Sequence, residues 1–302
     1  MSIIEKALKK RSVGEQSEAT ENSGSIAKAM TRKVTPETAA KNHVASDNGN
    51  KVAVTTLHID TERLKKEGMV AYDDDNANAQ INNEYRSIKH KILYNAFGPA
   101  SSTLKKSNMV MITSAQPVEG KTFTAINLAF SVATEKDKTI LLVDADVLRP
   151  NISRTLGVEE TPGLIDYLLG DVSNLSDVIY PTNIPNLRIL PAGSAHHLSN
   201  ELLASDRMKS LTTELENRYP DRLVLFDCPP MLGVVETVTV SQLMGQAIIV
   251  VSHTSTQMSD VEQTIADLNR DLAIGFVINK ALYGTHSQYG YGYDYGTKPK
   301  KV

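Results

Sequence analysis

From Asn108 onward, short runs that are apolar throughout alternate with stretches of helical periodicity. The runs are MVMI, TILLVDAD, LRILPAG, RLVLFDCPP, QAIIVVS and AIGFVIN, and the periodic stretches cover 122–134, 201–218 and 259–272. A run without polar alternation marks a strand covered on both faces. Strand, helix, strand in repetition predicts an α/β fold, a mostly parallel sheet flanked by helices.

Before Asn108 the pattern is weaker. MSIIEKALKKR has Ile3, Ile4, Ala7 and Leu8 on one face of a short helix, read either as a docking segment or as a frayed start. From Ser12 to about Lys51 large apolar residues are scarce, and the stretch is expected to be disordered. LHIDTERLKKEGMVAY carries a helix start at Asp60, DDDNANAQ interrupts, and NNEYRSIKHKILYNAF reads as a helix through Tyr85, Ile88, Ile92 and Leu93. The expected organisation is an N-terminal segment, 1–80, largely disordered with short helices; a domain, 81–282; and a tail, 283–302. In that tail Tyr283, Tyr289, Tyr291, Tyr293 and Tyr295 are interleaved with glycine, five of the chain's 11 tyrosines, and the spacing predicts a flexible, exposed segment.

Composition narrows the function classes. A net charge of -3 gives no bulk attraction to nucleic acid. One cysteine, Cys228, rules out an internal disulfide framework and fits a reducing cytosol, and it is read as a small buried residue. No apolar run approaches the roughly 20 residues that span a bilayer. These features predict a cytoplasmic protein. His196-His197 reads as a loop feature, without partner ligands at useful spacing.

The chemistry gathers at three strand ends. TSAQPVEGKT, Thr113–Thr122, lies between an apolar run and a helical segment and completes the phosphate-loop pattern at Gly120-Lys121-Thr122, with Ala115 in place of the first glycine. Backbone N–H groups and the helix start bind phosphate regardless of that side chain, so the substitution matters only if position 115 needs positive φ. The stretch Gln116, Pro117, Val118, Glu119, Gly120, Lys121, Thr122 and Phe123 is predicted to hold ATP, with Lys121 on the terminal phosphates and Thr122 on Mg²⁺. VDAD ends a strand with Asp144 and Asp146, and LVLFD ends another with Asp227, where open α/β sheets bind ligands. One aspartate of this kind can merely cap a helix, but three beside a GKT loop point to a P-loop NTPase. Asn279-Lys280, after the last strand, is placed for the adenine.

TSAQPVEGKT, ILLVDADVLRP and LVLFDCPP, in this order, resemble the Walker A, Walker A′ and Walker B elements of the bacterial tyrosine kinases of polysaccharide export. TPGLIDYLLGD and LPAG are similar too, and the likeness covers roughly residues 80 to 295. MSIIEKALKKR, EYRSIK, PPMLGVVETVTV and IGFVINKALYG look closest to the autokinases of exosortase and exopolysaccharide loci. The resemblance implies autophosphorylation of the tail tyrosines on a neighbouring copy. It places Thr122 and Asp146 around Mg²⁺, with Asp227 direct or through water, and Asp144 drawing the phenol's proton. Arg149 would steady developing charge, join a subunit interface, or simply lie at the surface. Many relatives are fused to a membrane-spanning adaptor. Here the resemblance implies a separate inner-membrane polysaccharide co-polymerase or chain-length protein as activator, a tyrosine phosphatase as a further partner, and a peripheral location at the inner face of the membrane.

Two departures stand out. The family's oligomerisation helix reads E-x-x-R-x-x-R, whereas the register through Arg86 gives Asn83 and Lys89 at its outer positions and puts Glu84 one step off. Lysine lacks the planar fork of arginine, which puts the usual ring assembly in question. The competing readings are a partition- or division-type ATPase switch and a nucleotide-binding scaffold. The switch class has a lysine where Gln116 stands, and lacks the tyrosine tail.

Overall fold

In a computed structural model, residues 55–69 and 79–281 are described. MSIIEKALKKR, the stretch from Ser12 to Lys51 and the five tail tyrosines lie outside them. The helices are α1 Thr61–Lys66, α2 Ala79–Phe97, α3 Lys121–Ala133, α4 Asn151–Leu156, α5 Leu164–Leu169, α6 Ser199–Leu203, α7 Asp206–Arg218, α8 Val235–Ser241 and α9 Met258–Asp267. The strands are β1 Met109–Ser114, β2 Thr139–Asp144, β3 Tyr180–Pro181, β4 Leu187–Leu190, β5 Arg222–Asp227, β6 Gln246–Ser252 and β7 Ala273–Asn279.

The seven strands form one sheet in the order β3-β4-β2-β5-β1-β6-β7. Every pairing is parallel except the antiparallel edge pair β3–β4. All of β1 and β5 is buried, as their unbroken apolar character requires. Because β2 and β5 lie side by side in register, Asp144 stands opposite Asp227, and β1 leads into the phosphate loop on the far side of β5. Sheet topology, not proximity in sequence, brings the three motifs together.

Three elements depart from the periodic pattern. The expected helix over 201–218 is two helices, because Ser205 takes an extended backbone and its hydroxyl accepts the Met208 N–H as an N-cap. The helix expected to run to 272 ends at Asp267, where Leu268 turns extended and the Asn269 side chain accepts the Asp271 N–H instead. AIGFVIN is a strand, but an edge strand. Its residues are only partly covered, and Ile278 is 60% exposed.

The segment around α1 sits on the domain rather than apart from it. Leu57 forms a parallel bridge with Thr182, and Ile59 exchanges two bonds with Asn183, 2.8 Å and 3.1 Å. Asp60 caps α1 as expected, accepting from the Arg63 N–H. Leu57, Ile59, Leu64 and Met69 join the core cluster that also holds Ile126 and Leu128 of α3. Residues from Thr55 onward fall in one compact unit with the domain. Leu64 is fully buried, so Leu64→Ala is expected to cost about 2–4 kcal/mol of stability. Urea denaturation measures this; a change below about 0.5 kcal/mol would mean the segment adds nothing to the domain.

Lys89 of α2 is bound within its own chain. Its ammonium lies 2.7 Å from Glu135 and 3.3 Å from the Thr134 hydroxyl. Arg86 donates to Asn83 at 3.5 Å, at the limit of a hydrogen bond. Among the described residues no helix is long and apolar enough to cross a membrane.

Candidate active site

The loop Ala115–Gly120 closes over the end of β1 and hands over to α3. Ala115 is buried and has ordinary negative φ, so the missing glycine costs the backbone nothing. Positive φ falls instead at Val118, 66°, and Gly120, 101°. At Gly120 a Cβ would stand 1.9 Å from Asn279 Nδ2, so both backbone angle and space demand glycine. Val118 is β-branched and pays a strain of about 1–2 kcal/mol in that region.

Neighbouring groups hold the strained loop. Glu119 is buried; one carboxylate oxygen accepts the Gln116 N–H at 2.8 Å and the other meets the Thr256 hydroxyl. The Gln116 amide reaches Asp260 at 3.4 Å. From the end of β7, Asn279 Nδ2 donates to the Glu119 carbonyl at 2.9 Å and Lys280 Nζ to the Val118 carbonyl at 2.7 Å. Asn279 was expected at the adenine. Its amide is engaged on the loop backbone, and Lys280 rather than Asn279 lines the cavity.

That cavity has a volume of about 710 Å³, within the range of small-molecule sites. Pro117, Val118, Gly120, Lys121, Thr122, Phe123, Asp146 and Arg149 line it. Gln116 and Glu119 stand behind the wall as braces.

Lys121 is buried at the start of α3, and its charge acts on Asp146 and Asp227. Asp227 is fully buried and accepts the Thr122 hydroxyl at 2.6 Å; burial and the Asp144 charge push it up to about 8, against which Thr122 and Lys121 work. Asp144 is equally buried. Its Oδ2 accepts both the N–H and the hydroxyl of Ser153 at 2.8 Å, and burial pushes it up to about 7. Asp146 is raised by burial, with Lys121 and Arg149 pulling it back, and among the three it alone lines the cavity. Arg149 is exposed at the rim. The Cys228 thiol is buried and raised well above its ordinary value by that burial, which leaves it unreactive.

Asp144 and Asp227 each keep one buried oxygen with no hydrogen-bond partner among the described residues. Oxygens of this kind suit a hard divalent cation. No group of three His, Cys, Asp or Glu among the described residues could hold a metal alone. That too fits Mg²⁺, which usually takes one or two protein oxygens and completes its shell with phosphates and water.

Ser153, Thr256 and Met69, which lines the cavity from the α1 segment, were not legible in the sequence. Ser153 lies nine residues past Asp144 with no motif around it, and the other two arrive from distant parts of the chain.

The parallel sheet, the loop and its strand-end acids define a P-loop NTPase-like domain. Residues 107–273 match the family described as AAA domain. The chain is 33% identical over 218 residues to the tyrosine-protein kinase YwqD of Bacillus subtilis, covering 71% of this chain and 86% of that one. It is also 33% identical over 191 residues to the putative tyrosine-protein kinase EpsB of Ralstonia nicotianae, covering 63% of this chain but only 25% of EpsB, so it spans about a quarter of that relative's length. Its fold matches the kinase domain of the Escherichia coli tyrosine kinase ETK with a TM-score of 0.55 at 29% identity, over 69% of this chain and 79% of that one. The chain belongs to the bacterial tyrosine-protein kinases.

Proposed function

We propose that this protein is an ATP-dependent protein-tyrosine autokinase that phosphorylates its own tyrosine tail, in trans, in the service of exopolysaccharide synthesis or export. The observation that carries the reading is one buried ammonium, Lys121, that lines a nucleotide-sized cavity with Asp146, while buried Asp144 and Asp227 stand behind the wall. In this reading the backbone N–H groups of 117–122 and Lys121 hold the phosphates. Thr122 and Asp227 would hold Mg²⁺, which supplies charge neutralisation on the β- and γ-oxygens.

The phenol oxygen attacks the γ-phosphorus, the bond to the bridging oxygen breaks, and ADP leaves. The phenol's proton passes to a carboxylate. Asp144 was the expected acceptor, but it is sealed behind the wall on Ser153, whereas Asp146 lines the cavity; we assign the proton to Asp146 and leave Asp144 as a charge behind it. Arg149 at the rim suits charge that develops on the transferred group. Val118, 79% exposed, and Leu148, 58% exposed, give an incoming aromatic ring apolar surface beside the phosphates.

The switch reading finds no support at Gln116. It is uncharged and its amide is turned to Asp260. A separate membrane protein as activator, a phosphatase and a peripheral membrane location belong to the same proposal. Purified protein given Mg-ATP is expected to gain phosphotyrosine within residues 283–295, read by mass spectrometry. ATP turnover without any phosphotyrosine would favour the ATPase switch instead.

A further inference from the structure

At the opposite end of the sheet from the phosphate loop, three arginines converge without enough negative charge. Arg222 opens β5, and Arg188 lies in β4; their partners on the intervening β2 are Thr139 and Leu141. Those two residues are one pleat repeat apart, so both arginines project from the same face. Leu215, Arg218 and Tyr219 from the end of α7 cover that face. The Arg222 guanidinium lies 3.6 Å from the centre of the Tyr219 ring, and Arg218 is 5.6 Å from it. Together with Leu175 and Ile179 they line a cleft of about 40 Å³.

The charge balance is the stronger argument. Arg222 is 5% exposed, and its Nε has no hydrogen-bond partner among the described residues. Burial and the Arg188 charge push its proton affinity down, while Tyr219 and Asp221 pull it back up. The nearby acids do not resolve this. Glu214 pairs with Arg218 at 2.6 Å, Asp221 accepts the Thr139 hydroxyl at 3.4 Å, and Asp177 accepts from Asn174 at 3.3 Å. Neither Arg188 nor Arg222 has a carboxylate within 4 Å among the described residues. A buried guanidinium beside a second one, stacked on a ring and short of an acceptor, is the donor set that a phosphoryl oxyanion satisfies.

We propose that Arg188, Arg218 and Arg222, with the Tyr219 ring, form a second anion site that takes a phosphoryl group. Two sources share that chemistry, free orthophosphate and a phosphate carried on a phenol; only the second rests on the kinase reading above. The test uses the full chain and calorimetric titration with orthophosphate. Wild type and Lys121→Met are both expected to bind it at this cleft. Arg188→Gln, which changes an exposed side chain and leaves the core intact, is expected to bind at least tenfold more weakly, as is Arg218→Gln. Binding that disappears in Lys121→Met but persists in Arg188→Gln would place all phosphate at the loop and overturn the site, as would no binding in wild type.

A second titration uses a synthetic 283–295 peptide with and without phosphotyrosine. Phosphopeptide binding tighter than orthophosphate, and lost in Arg188→Gln, assigns the phenol-borne source. Orthophosphate binding equal to or tighter than that of the phosphopeptide assigns the free ion. Failure of the tail as a kinase substrate would leave the orthophosphate arm standing.

Discussion

Lys121→Met is expected to abolish phosphotyrosine formation while the protein stays folded. Methionine keeps the length and the apolar stem of the side chain and removes the ammonium. Two things are then lost together. The terminal phosphates lose the ammonium that donates to their oxygens. Asp146 and Asp227 also lose the cation that offsets them, so an anionic nucleotide must enter a site stripped of its buried positive charge. Loss of one directed charge at a developing anion typically costs 10²–10³ in rate, about 3–4 kcal/mol. With the ground-state repulsion added, the expected fall is on the order of 10³ or more. Transfer of labelled phosphate from ATP measures it, and circular dichroism checks the fold. Labelling at the wild-type rate would remove Lys121 from the mechanism and the site with it.

Much of this was legible in the sequence, for reasons that particular elements make plain. β1, β2, β5 and β6 were readable because strands covered on both faces cannot alternate. The phosphate loop was readable because backbone geometry forces glycine at 120 and chemistry forces Lys121 and Thr122. The strand-end acids were readable one at a time, but their convergence depends on the strand order β2-β5-β1, which no local pattern encodes. The packing of the α1 segment was invisible because it relies on Asn183 and Thr182, more than 100 residues away. β7 has the composition of a core strand and lies at an edge, since composition reports what a strand could bury and not which neighbour it lacks. Ser153 acts through hydrogen bonds fixed by tertiary placement, and such bonds leave no periodic trace. The same limit explains Asp144 and Asp146. Their spacing puts both at one strand end, and only the fold decides which of them lines the cavity.

Asp144→Asn is expected to do two opposite things: stabilise the metal-free protein at alkaline pH and suppress phosphoryl transfer. Asp144 and Asp227 hold their protons up to about 7 and about 8, against an ordinary 3.8. Between roughly pH 4 and 8 the folded protein therefore binds more protons than the unfolded chain, and stability falls as pH rises. The contribution is fully present below about pH 4 and is lost as pH climbs through the folded values. Asparagine stays neutral throughout. Its side-chain oxygen can still accept from Ser153, and the neighbouring Asp227 no longer faces a like charge. The variant should thus flatten the pH dependence and exceed wild type at pH 8 by about 1–3 kcal/mol, given roughly 1.4 kcal/mol per pKa unit. Urea denaturation in EDTA at pH 5 and pH 8 reads this directly. Added Mg²⁺ should stabilise wild type at pH 8 and the variant less, since one of its carboxylate charges is gone. Transfer should fall by on the order of 10²-fold, because that charge also steadies the cation and Lys121. Equal stability of wild type at the two pH values, with no gain in the variant, would mean that the two carboxylates do not strain the fold, and the case for a cation held by Asp227 beside the Asp144 charge would fall.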